Sequence, residues 1–464
     1  MRTVSDNFRK AINNGGPFYA YAEVDLANGT QLIFDSTNDF YISGNKYNHS
    51  FSDAFPIGEA VCKTINLKIY NTDNQYSAKD FEGATITLYT EIDGDDNTPE
   101  RLLEGIFNVL TANAINNTIE ISAADNMCKM DKPLKVTSGP YFRPATTREA
   151  ASTICTACGL TLATPNFRSH RITGGVQDGV CTYREYLGYI AQLAGGNAFI
   201  TPEGEVAIKS YTRMEDEPSY IVSGGVLEDS TPDIISGGEF GTTVEDSINS
   251  NEFGTTPYIV LNRYTTAPQI GVDEITITGV SFSISTTDGV KTYQYGADGY
   301  VLNLKNLLLA PTPESVISNA LEQIGEYVIG RKIRPFSGKF SANPSIELMD
   351  NVYLVNVDDN VYSSIITSLE FNYLGDNALA SEIKSTEAQN FTYATNNKIN
   401  DSYFGTLRAR TTSGQLANVN VIDGKIKSVV ELTSQPYSGT ISYKKSDNTT
   451  GNIVVEFGII TSVT

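Results

Sequence analysis

The chain has 464 residues, of which 40% are hydrophobic and 19% are charged, values typical of globular proteins and unlike those of disordered ones. It carries 33 Lys and Arg against 54 Asp and Glu, a formal net charge of -21, and no basic run stands out, so the charge argues against sequence-specific binding to nucleic acid, which needs cationic side chains for the phosphates. Because single cores stop growing at roughly 250–300 residues, the length predicts three or four domains.

The chain shows no targeting or membrane-spanning segment. Its first residues lack the apolar stretch of a secretory signal, so we expect synthesis in a cytoplasm. The most apolar candidate, residues 187–200, contains Gln, Gly and Asn and is shorter than the ~20 residues a bilayer needs, so no membrane span is expected. The five cysteines form no small disulfide framework, which predicts reduced thiols.

Residues 1–135 are predicted to form an antiparallel β domain behind a short helix. Ser5 can cap a helix over residues 5–12, which ends at Gly15 and Gly16. Beyond it the apolar residues recur every second position, as half-buried strands require. The alternating apolar positions are Ile65, Leu67 and Ile69, then Ala84, Ile86 and Leu88.

Residues 136–212 are predicted to form a small α/β module. Thr146 with Glu149, and Thr182 with Glu185, have the spacing of capping boxes, and each precedes an apolar helical face. The first helix should end at Gly159 and the second at Gly195 and Gly196. A hairpin of residues 198–200 and 206–208 follows, joined by a stretch of turn-forming residues.

Residues 213–391 return to a β pattern, with one helix predicted at about 313–329. Alternation over residues 275–284 and 365–373 predicts strands. Pro313 suits the first turn of the helix, and Gly330 its C-terminal cap. Residues 392–464 are rich in Asn, Ser and Thr and should form a small polar β appendage with a strand near 453–457. The predicted fold is therefore mainly β with an α/β insertion.

Two residue patterns resemble metal sites. Cys155 and Cys158 have the C-x-x-C spacing of zinc and redox motifs, and Cys128, Cys181 and His170 could complete a site, but no second pair exists and helical spacing points both thiols into the core. A calcium loop is matched at its first, third, fifth and twelfth positions by Asp93, Asp95, Asn97 and Glu104. Thr98 replaces the glycine of the sixth position, so a solvated acidic turn is the preferred interpretation. We therefore expect no metal and no cofactor.

Candidates for hydrolytic chemistry are few. Only His49 and His170 could act as near-neutral bases, and neither lies in a hydrolase motif. Carboxylates are plentiful, but the sequence cannot place two of them across a sugar. No phosphate-binding loop is present, since the Gly pairs lack a following Lys-Ser/Thr. The sequence predicts a protein that is not an enzyme.

Three segments together resemble the hub, or tail-associated, proteins of tailed phages and prophages, which are related to the central hub of contractile baseplates. The segments are residues 2–8 with 105–109 and 123–127, residues 183–196 with 202–206, and residues 344–352 with 365–371. Their order and spacing extend over about 390 residues, and residues after 392 lie outside the resemblance. The third segment has Met349 where similar proteins tend to have glycine, which predicts a different backbone geometry at that turn.

The resemblance implies a structural role in a virion tail, at its tip or baseplate. Similar hubs place two barrel-like β domains side by side in each subunit, so that a homotrimer forms a ring of six units continuing a hexameric tail tube. Here these would be residues 1–135 and 213–391, with the α/β module outside the ring. The implied partners are a tail tube or distal tail protein, a tape-measure protein, distal spike or fibre proteins, and DNA that passes without specific binding. We expect acidic residues to line the bore, because like charges repel.

Two other functions remain open. Similar hubs often carry a cell-wall hydrolase after their ring-forming part, although only about 70 residues remain here. A receptor-binding adhesin is the second alternative, since the chain has 26 Tyr, although its lack of Trp is unusual for a glycan groove. The sequence does not distinguish a phage from a prophage, a bacteriocin-like tail or another contractile injection system, nor does it identify the host.

Overall fold

The computed structural model describes residues 2–35, 39–40, 44–51, 55–94, 98–137, 139, 141–164, 166–172, 175–213, 222–223, 226–227, 259–286, 289–309, 313–356, 360–373, 375–381, 390–392, 405–410, 416–422, 425–431, 439–444, 450–456 and 459–463. The chain divides into two units, residues 1–283 with 292–389, and residues 284–291 with 390–464. It is mainly β with few helices, which confirms the predicted fold class. The limits predicted for the four domains stay predictions.

Among the described residues up to residue 212 are three helices, seven strands of one large sheet and a two-stranded hairpin. The helices are α1 (Asp6–Asn14), α2 (Thr147–Ala157) and α3 (Tyr183–Leu193), with 3-10 turns at Ala78–Phe81 and Asn126–Met130. The strands are β1 (Tyr19–Asp25), β2 (Gln31–Asp35), β3 (Lys46–Ser50), β4 (Thr64–Tyr70), β5 (Thr85–Asp93), β6 (Pro99–Ile115), β7 (Thr118–Asp125), β8 (Gly196–Ile200) and β9 (Val206–Ser210).

The rest of the chain adds one long helix, α4 (Glu314–Val328), and twenty strands among the described residues. Those up to residue 381 are β10 (Val222–Ser223), β11 (Val226–Leu227), β12 (Ile259–Leu261), β13 (Tyr264–Ile270), β14 (Ile275–Thr286), β15 (Gly289–Gly296), β16 (Tyr300–Leu304), β17 (Lys332–Ile333), β18 (Phe336–Ser341), β19 (Asn351–Val355), β20 (Val361–Ile365), β21 (Ser368–Asn372) and β22 (Asp376–Ser381). The last are β23 (Asn390–Thr392), β24 (Gly405–Arg410), β25 (Leu416–Ile422), β26 (Lys425–Glu431), β27 (Gly439–Lys444), β28 (Thr450–Glu456) and β29 (Ile459–Val463).

One sheet of eleven strands dominates the first unit, in the order β13-β18-β22-β21-β3-β4-β7-β6-β5-β1-β2. Its two halves come from distant parts of the sequence and meet where β21 pairs antiparallel with β3. At this seam the ring of Phe371 stacks on Tyr47, with centroids 5.0 Å apart, and both side chains are buried. One hydrophobic core underlies both halves, so the seam is as well packed as a domain interior.

The half formed by residues 19–125 curls like a barrel. Phe34 on the edge strand β2 packs against Phe40, with ring centroids 6.4 Å apart. Phe40 in turn forms an antiparallel bridge with Ile69 on β4. The strand order β4-β7-β6-β5-β1-β2 is therefore bent until its two ends approach each other across the core.

The second unit contains two three-stranded antiparallel sheets, β24-β25-β26 and β27-β28-β29. The predicted strand near residues 453–457 lies in β28, and residue 457 is outside the described residues. Short antiparallel sheets joined in sequence order are what the predicted β appendage required.

Most predicted helix ends are confirmed. The Ser5 hydroxyl accepts a hydrogen bond from the Phe8 N–H and begins α1. Thr182 and Glu185 form the predicted capping box at the start of α3. The box expected at α2 is only half formed: the Thr146 hydroxyl accepts from the Glu149 N–H, but the Glu149 carboxylate turns back to the Ala145 N–H.

Two further predictions need correction. Pro313 is the N-cap residue of α4 and not a member of its first turn. The predicted continuous strand over residues 365–373 is two strands, β20 and β21. Between them Ile366 N–H bonds to the Asp350 carbonyl and Thr367 N–H to the Ala380 carbonyl, so the chain passes from one sheet to another at this point.

Candidate functional surface

The face of the eleven-stranded sheet opposite the core carries mostly polar side chains across its width. Pairing registers align one residue from every strand in a single row across the sheet. From β13 to β2 this row is Thr266, Lys339, Ala378, Glu370, Asn48, Thr64, Ala124, Asn108, Thr85, Asp25 and Gln31. Because side chains alternate between faces along a strand, these residues and those two positions away define the surface we call the polar face.

Basic side chains on the polar face each have an acidic partner on a neighbouring strand. Within the described strands of this sheet the face carries four basic residues, and the ion pairs they form are Lys46–Glu370 (2.6 Å), Lys68–Glu120 (2.8 Å), Arg101–Glu91 (2.7 Å) and Lys339–Asp376 (3.7 Å). Acidic residues are twice as numerous there: Glu23, Asp25, Asp35, Glu91, Asp93, Glu120, Glu370 and Asp376. The face therefore presents a net negative charge with its cations already neutralised.

A buried carboxylate lies on the core side of the same sheet. The register of β5 and β6 shifts between Leu88 and Tyr89, so Glu104 sits at a β-bulge that turns its side chain inward. Its carboxylate accepts from the Thr90 hydroxyl (2.7 Å) and pairs with Lys63 (3.0 Å) and Arg2 (3.1 Å). Burial alone would raise the pKa of Glu104, but the two cations and the hydrogen bonds hold it below its usual value.

Residues of the three segments that carry the family resemblance line one cavity together with this carboxylate, among them Arg2, Pro202 and Ile346. Arg2 donates from its backbone to the Ser345 carbonyl and from its guanidinium to Glu104. Buried Asn197, at the start of the β8–β9 hairpin, donates to the Met349 sulfur (3.3 Å) and accepts from the Glu59 N–H. Segments that are far apart in sequence thus form one structural junction.

Met349 has φ +69°, in the left-handed region that glycine adopts readily. The prediction that Met349 gives this turn a different backbone geometry is therefore wrong, because Met349 adopts the conformation that glycine would adopt. Its N–H bonds to the Ile366 carbonyl, and its buried side chain contacts Asn197, so packing holds the conformation at a cost of roughly 1–2 kcal/mol.

A cavity of about 190 Å³ lies at the junction. Charged side chains at its rim include Lys209, which is 3.4 Å from Asp350 and 3.6 Å from Glu347. Aromatic and aliphatic side chains line the rest, among them Phe199 and Leu369. Arg2 and Lys63 share Glu104, and Lys209 lies within 4 Å of both Glu347 and Asp350, so three basic residues at this cavity are matched by three carboxylates.

The predicted metal-site candidates do not come together in the described part of the chain. Cys155 on α2 and Cys158, the C-cap residue of that helix, are buried, and burial raises the pKa of Cys155 to about 12, which disfavours the thiolate that binds zinc. Asp93 ends β5 on the polar face, whereas Glu104 is buried among cations; Asp95 and Asn97 lie outside the described residues. Among the residues described, no group of three or more His, Cys, Asp or Glu side chains could hold a metal ion.

The two histidines are poorly placed to act as bases. Burial, with Lys63 and Lys209 nearby, lowers the pKa of His49 to about 3, and the ring packs edge-on against Phe199. Burial and Arg168 likewise lower the pKa of His170. In both cases the shift favours the neutral ring and weakens the histidine as a base.

Sequence reasoning missed the Arg2–Glu104–Lys63 cluster, since its members are up to 102 positions apart. One local signal was available: Gly105 interrupts a strand pattern directly after Glu104, and an isolated glycine within a strand often marks a bulge.

No helix within the described residues is long and apolar enough to cross a membrane. No protein-family model matches the chain, and no curated protein matches its sequence.

Among solved structures, the chain is similar to the 43 kDa tail protein of prophage MuSo2 from Shewanella oneidensis, with 13% identity and a TM-score of 0.42 over 78% of this chain and 97% of that one. It is similar to the tail protein from Neisseria meningitidis MC58, with 9% identity and a TM-score of 0.42 over 78% and 95%. It is also similar to a chain of the half-lidded Francisella PdpA-VgrG complex, with 9% identity and a TM-score of 0.40 over 96% and 77%.

Proposed function

We propose that this chain is the structural hub of a phage-type tail tip or baseplate. Three copies would form a ring that continues and closes a hexameric tail tube and anchors distal tip or fibre proteins. The observation that carries the proposal is the single eleven-stranded sheet, in which two β regions from distant parts of the sequence stand side by side.

The seam between β3 and β21 fixes the spacing of the two regions. Backbone pairing over five residues and the stacked Tyr47 and Phe371 rings join them into one surface. A trimer of such subunits contains six side-by-side β regions, so a three-fold ring can match a six-fold tube without six copies of the chain. This is the arrangement that the resemblance to tail hubs implies.

The polar face suits the wall of a channel through which a polyanion moves. Its cations are neutralised by acids on adjacent strands, so they are not available for the phosphate contacts that supply nonspecific affinity. The excess of acidic residues repels phosphate in addition. We propose that this face lines the bore and that DNA passes it without specific binding.

The two ends of the ring would bind different partners. One end of the ring would contact a tail tube or distal tail protein and the end of a tape-measure protein, and the other end would hold spike or fibre proteins. The site of action is the virion tail, after synthesis in the bacterial host cytoplasm. We propose no enzymatic role; incubating the purified protein with host cell walls should give no release of soluble fragments.

The decisive test is the solution mass of the purified protein by light scattering, together with negative-stain images. We expect a mass near three times 50.4 kDa and particles with a central pore. A protein that stays monomeric over the accessible concentration range, or a trimer without a pore, would overturn the proposed ring.

A further inference from the structure

The charges around the junction cavity balance in number but not in position. At its more buried end the side chains of Arg2 (17% exposed) and Lys63 (16%) share the single carboxylate of Glu104. At its rim Lys209 lies 3.6 Å from Glu347 and 3.4 Å from Asp350, and of these two carboxylates only Glu347 lines the cavity. One positive charge is therefore left over at the buried end, within a chain whose net charge is -21.

The Glu104 carboxylate is fixed in place and cannot neutralise both cations. One of its oxygens accepts from the Thr90 hydroxyl (2.7 Å), and the other lies 3.1 Å from Arg2 and 3.0 Å from Lys63. The Lys63 ammonium also donates to the Glu104 carbonyl (3.1 Å) and lies 3.8 Å from the centre of the Tyr47 ring. Because charges with little access to water need partners of opposite sign, this end of the cavity favours a second anion.

The His49 ring, which also lines the cavity, is sensitive to the same positive charge. Two charged groups shift its pKa, Lys63 and Lys209, and both of them lower it, together with burial. The Nε2 atom of this ring is buried and has no hydrogen-bond partner among the described residues. The surroundings of His49 therefore disfavour a bound cation and favour an anion.

The remaining side chains of the lining indicate which kind of anion fits. They are mostly apolar, and they include Phe199, Ile346, Leu348 and Leu369. The volume of about 190 Å³ is below the roughly 300–1,000 Å³ of sites for drug-sized molecules, so the ligand is small. A phosphoryl group carries about -1.5 to -2 charges at neutral pH, more than the single positive charge available, and offers nothing to apolar walls. A monoanion with a hydrocarbon part matches both the charge and the walls.

We propose that the junction cavity binds a small organic carboxylate, whose anionic group lies near Arg2 and Lys63 and whose hydrocarbon part packs against Phe199, Ile346 and Leu369. The carboxylate belongs either to a free acid or to the C-terminal residue of a polypeptide, which present the same chemistry to this cavity. The inference goes beyond the proposed function and does not rest on it, because the cavity lies within one copy of the chain.

Titration of the full-length protein with hexanoate and with hexanamide tests the need for the charge. The two molecules have nearly the same size and shape, and only hexanoate is an anion. Ligand-observed saturation-transfer NMR should show saturable binding of hexanoate and binding of hexanamide that is weaker by roughly tenfold or more, since hydrogen bonds to charged groups are the stronger ones. Equal affinities, or no saturable binding of hexanoate within its solubility, would overturn the proposal.

Two variants locate the site. Arg2→Gln leaves Glu104 paired with Lys63 alone and should reduce the affinity for hexanoate to that for hexanamide, whereas Arg9→Gln, which removes the exposed partner of Asp6 on α1, should not change it. Ala207→Leu fills the cavity without a change of charge and should abolish binding of both molecules.

Ala114→Leu, at an exposed position of β6, is the control for the added volume and should bind as the wild type does. Melting curves of all four variants check that they are folded. Unchanged hexanoate binding in a folded Ala207→Leu variant would place the binding elsewhere and overturn the proposed site, even if Arg2→Gln fails to fold.

A third titration identifies the source of the carboxylate. A tripeptide that ends in leucine is compared with its C-terminal amide. Tighter binding of the free-acid peptide than of hexanoate would support a polypeptide C-terminus as the ligand, and weaker binding would support a free acid. A monomeric protein that binds hexanoate would overturn the proposed ring and leave this site intact, whereas a trimeric ring without hexanoate binding would do the reverse.

Discussion

Glu104 combines full burial with two cationic neighbours, and this determines what its replacement should do. In Glu104→Gln the charges of Lys63 and Arg2 lose their shared counterion at a site that is largely closed to water. We expect the free energy of unfolding to fall by about 3 kcal/mol, as for a buried pair that loses one partner. Urea unfolding measures this.

A matched control separates burial from charge. Glu91→Gln removes the partner of Arg101 in a more exposed pair on the polar face, and its effect should stay below about 1 kcal/mol. The folded-state pKa of Glu104 is lowered, so its contribution is present above the unfolded pKa and is lost as pH falls. Equal losses in the two variants would contradict the role assigned to burial.

The effect of Asp125 on the pH dependence of stability should be opposite to that of Glu104. Burial raises its pKa from 3.8 to about 6, although the Lys63 and Met127 N–H groups and the Cys62 thiol donate to it. Between these values the folded state binds the proton more tightly, so this residue makes the protein less stable as pH rises from about 4 to 6, by up to roughly 3 kcal/mol.

In Asp125→Asn the titrating group is absent, and that component of the pH dependence should disappear. Unfolding midpoints of the two proteins between pH 4 and 7 check the expectation. As pH rises across this range, the wild type should lose stability relative to the variant. Curves that stay parallel would show that Asp125 does not titrate there.

The turn between α3 and the β8–β9 hairpin depends on one glycine. Gly195 has φ +74°, and a Cβ atom there would lie 2.3 Å from the ring of Tyr327 on α4. Gly195→Ala should therefore cost about 1–2 kcal/mol for the left-handed backbone and a further 1–3 kcal/mol for the clash. Thermal unfolding of the purified variant measures the sum.

Gly159, after α2, supplies the matched control. Its φ is +71°, but no atom lies within 4 Å of the added Cβ, so Gly159→Ala should show the backbone cost alone. If the two variants lose equal stability, the close contact with Tyr327 does not constrain the turn after α3.

Local patterns predicted the elements well because their causes are local. Alternation located β4 and β5, and hydroxyl residues three positions before a Glu located the starts of α2 and α3. Two of the predictions that failed depend on tertiary contacts. The break after Ile365 arises because the chain changes sheets, and Met349 keeps a positive φ because Asn197 and Ile366 hold it.

The polar face could not be predicted from the sequence for the same reason. Lys46 and Glu370 are 324 positions apart, and only the register between β3 and β21 brings them together. Acidity of the whole chain was evident from composition. The strand order determines which acids share a face and which of them pair with the basic residues of that face.

The polar face yields a prediction for the molecule as a whole. In the variant Glu91→Gln, Glu120→Gln, Glu370→Gln and Asp376→Asn, the four basic side chains of that face lose their partners, and acids no longer outnumber bases there. We expect weak binding to double-stranded DNA at low salt, with a slope of log K against log salt that approaches about -3.6 if all four reach phosphates. The wild-type protein should show no binding by fluorescence anisotropy under the same conditions.

The control for that variant keeps the same total charge but leaves the polar face unchanged. It replaces four exposed acids elsewhere by amides: Asp73, Glu82, Glu203 and Glu322. If the control binds DNA as well as the first variant does, net charge alone explains the effect and the cross-strand pairs have no special role. Binding confined to the first variant would mean that strand pairing, by neutralising each cation on the face, is what keeps a polyanion from adhering to the sheet.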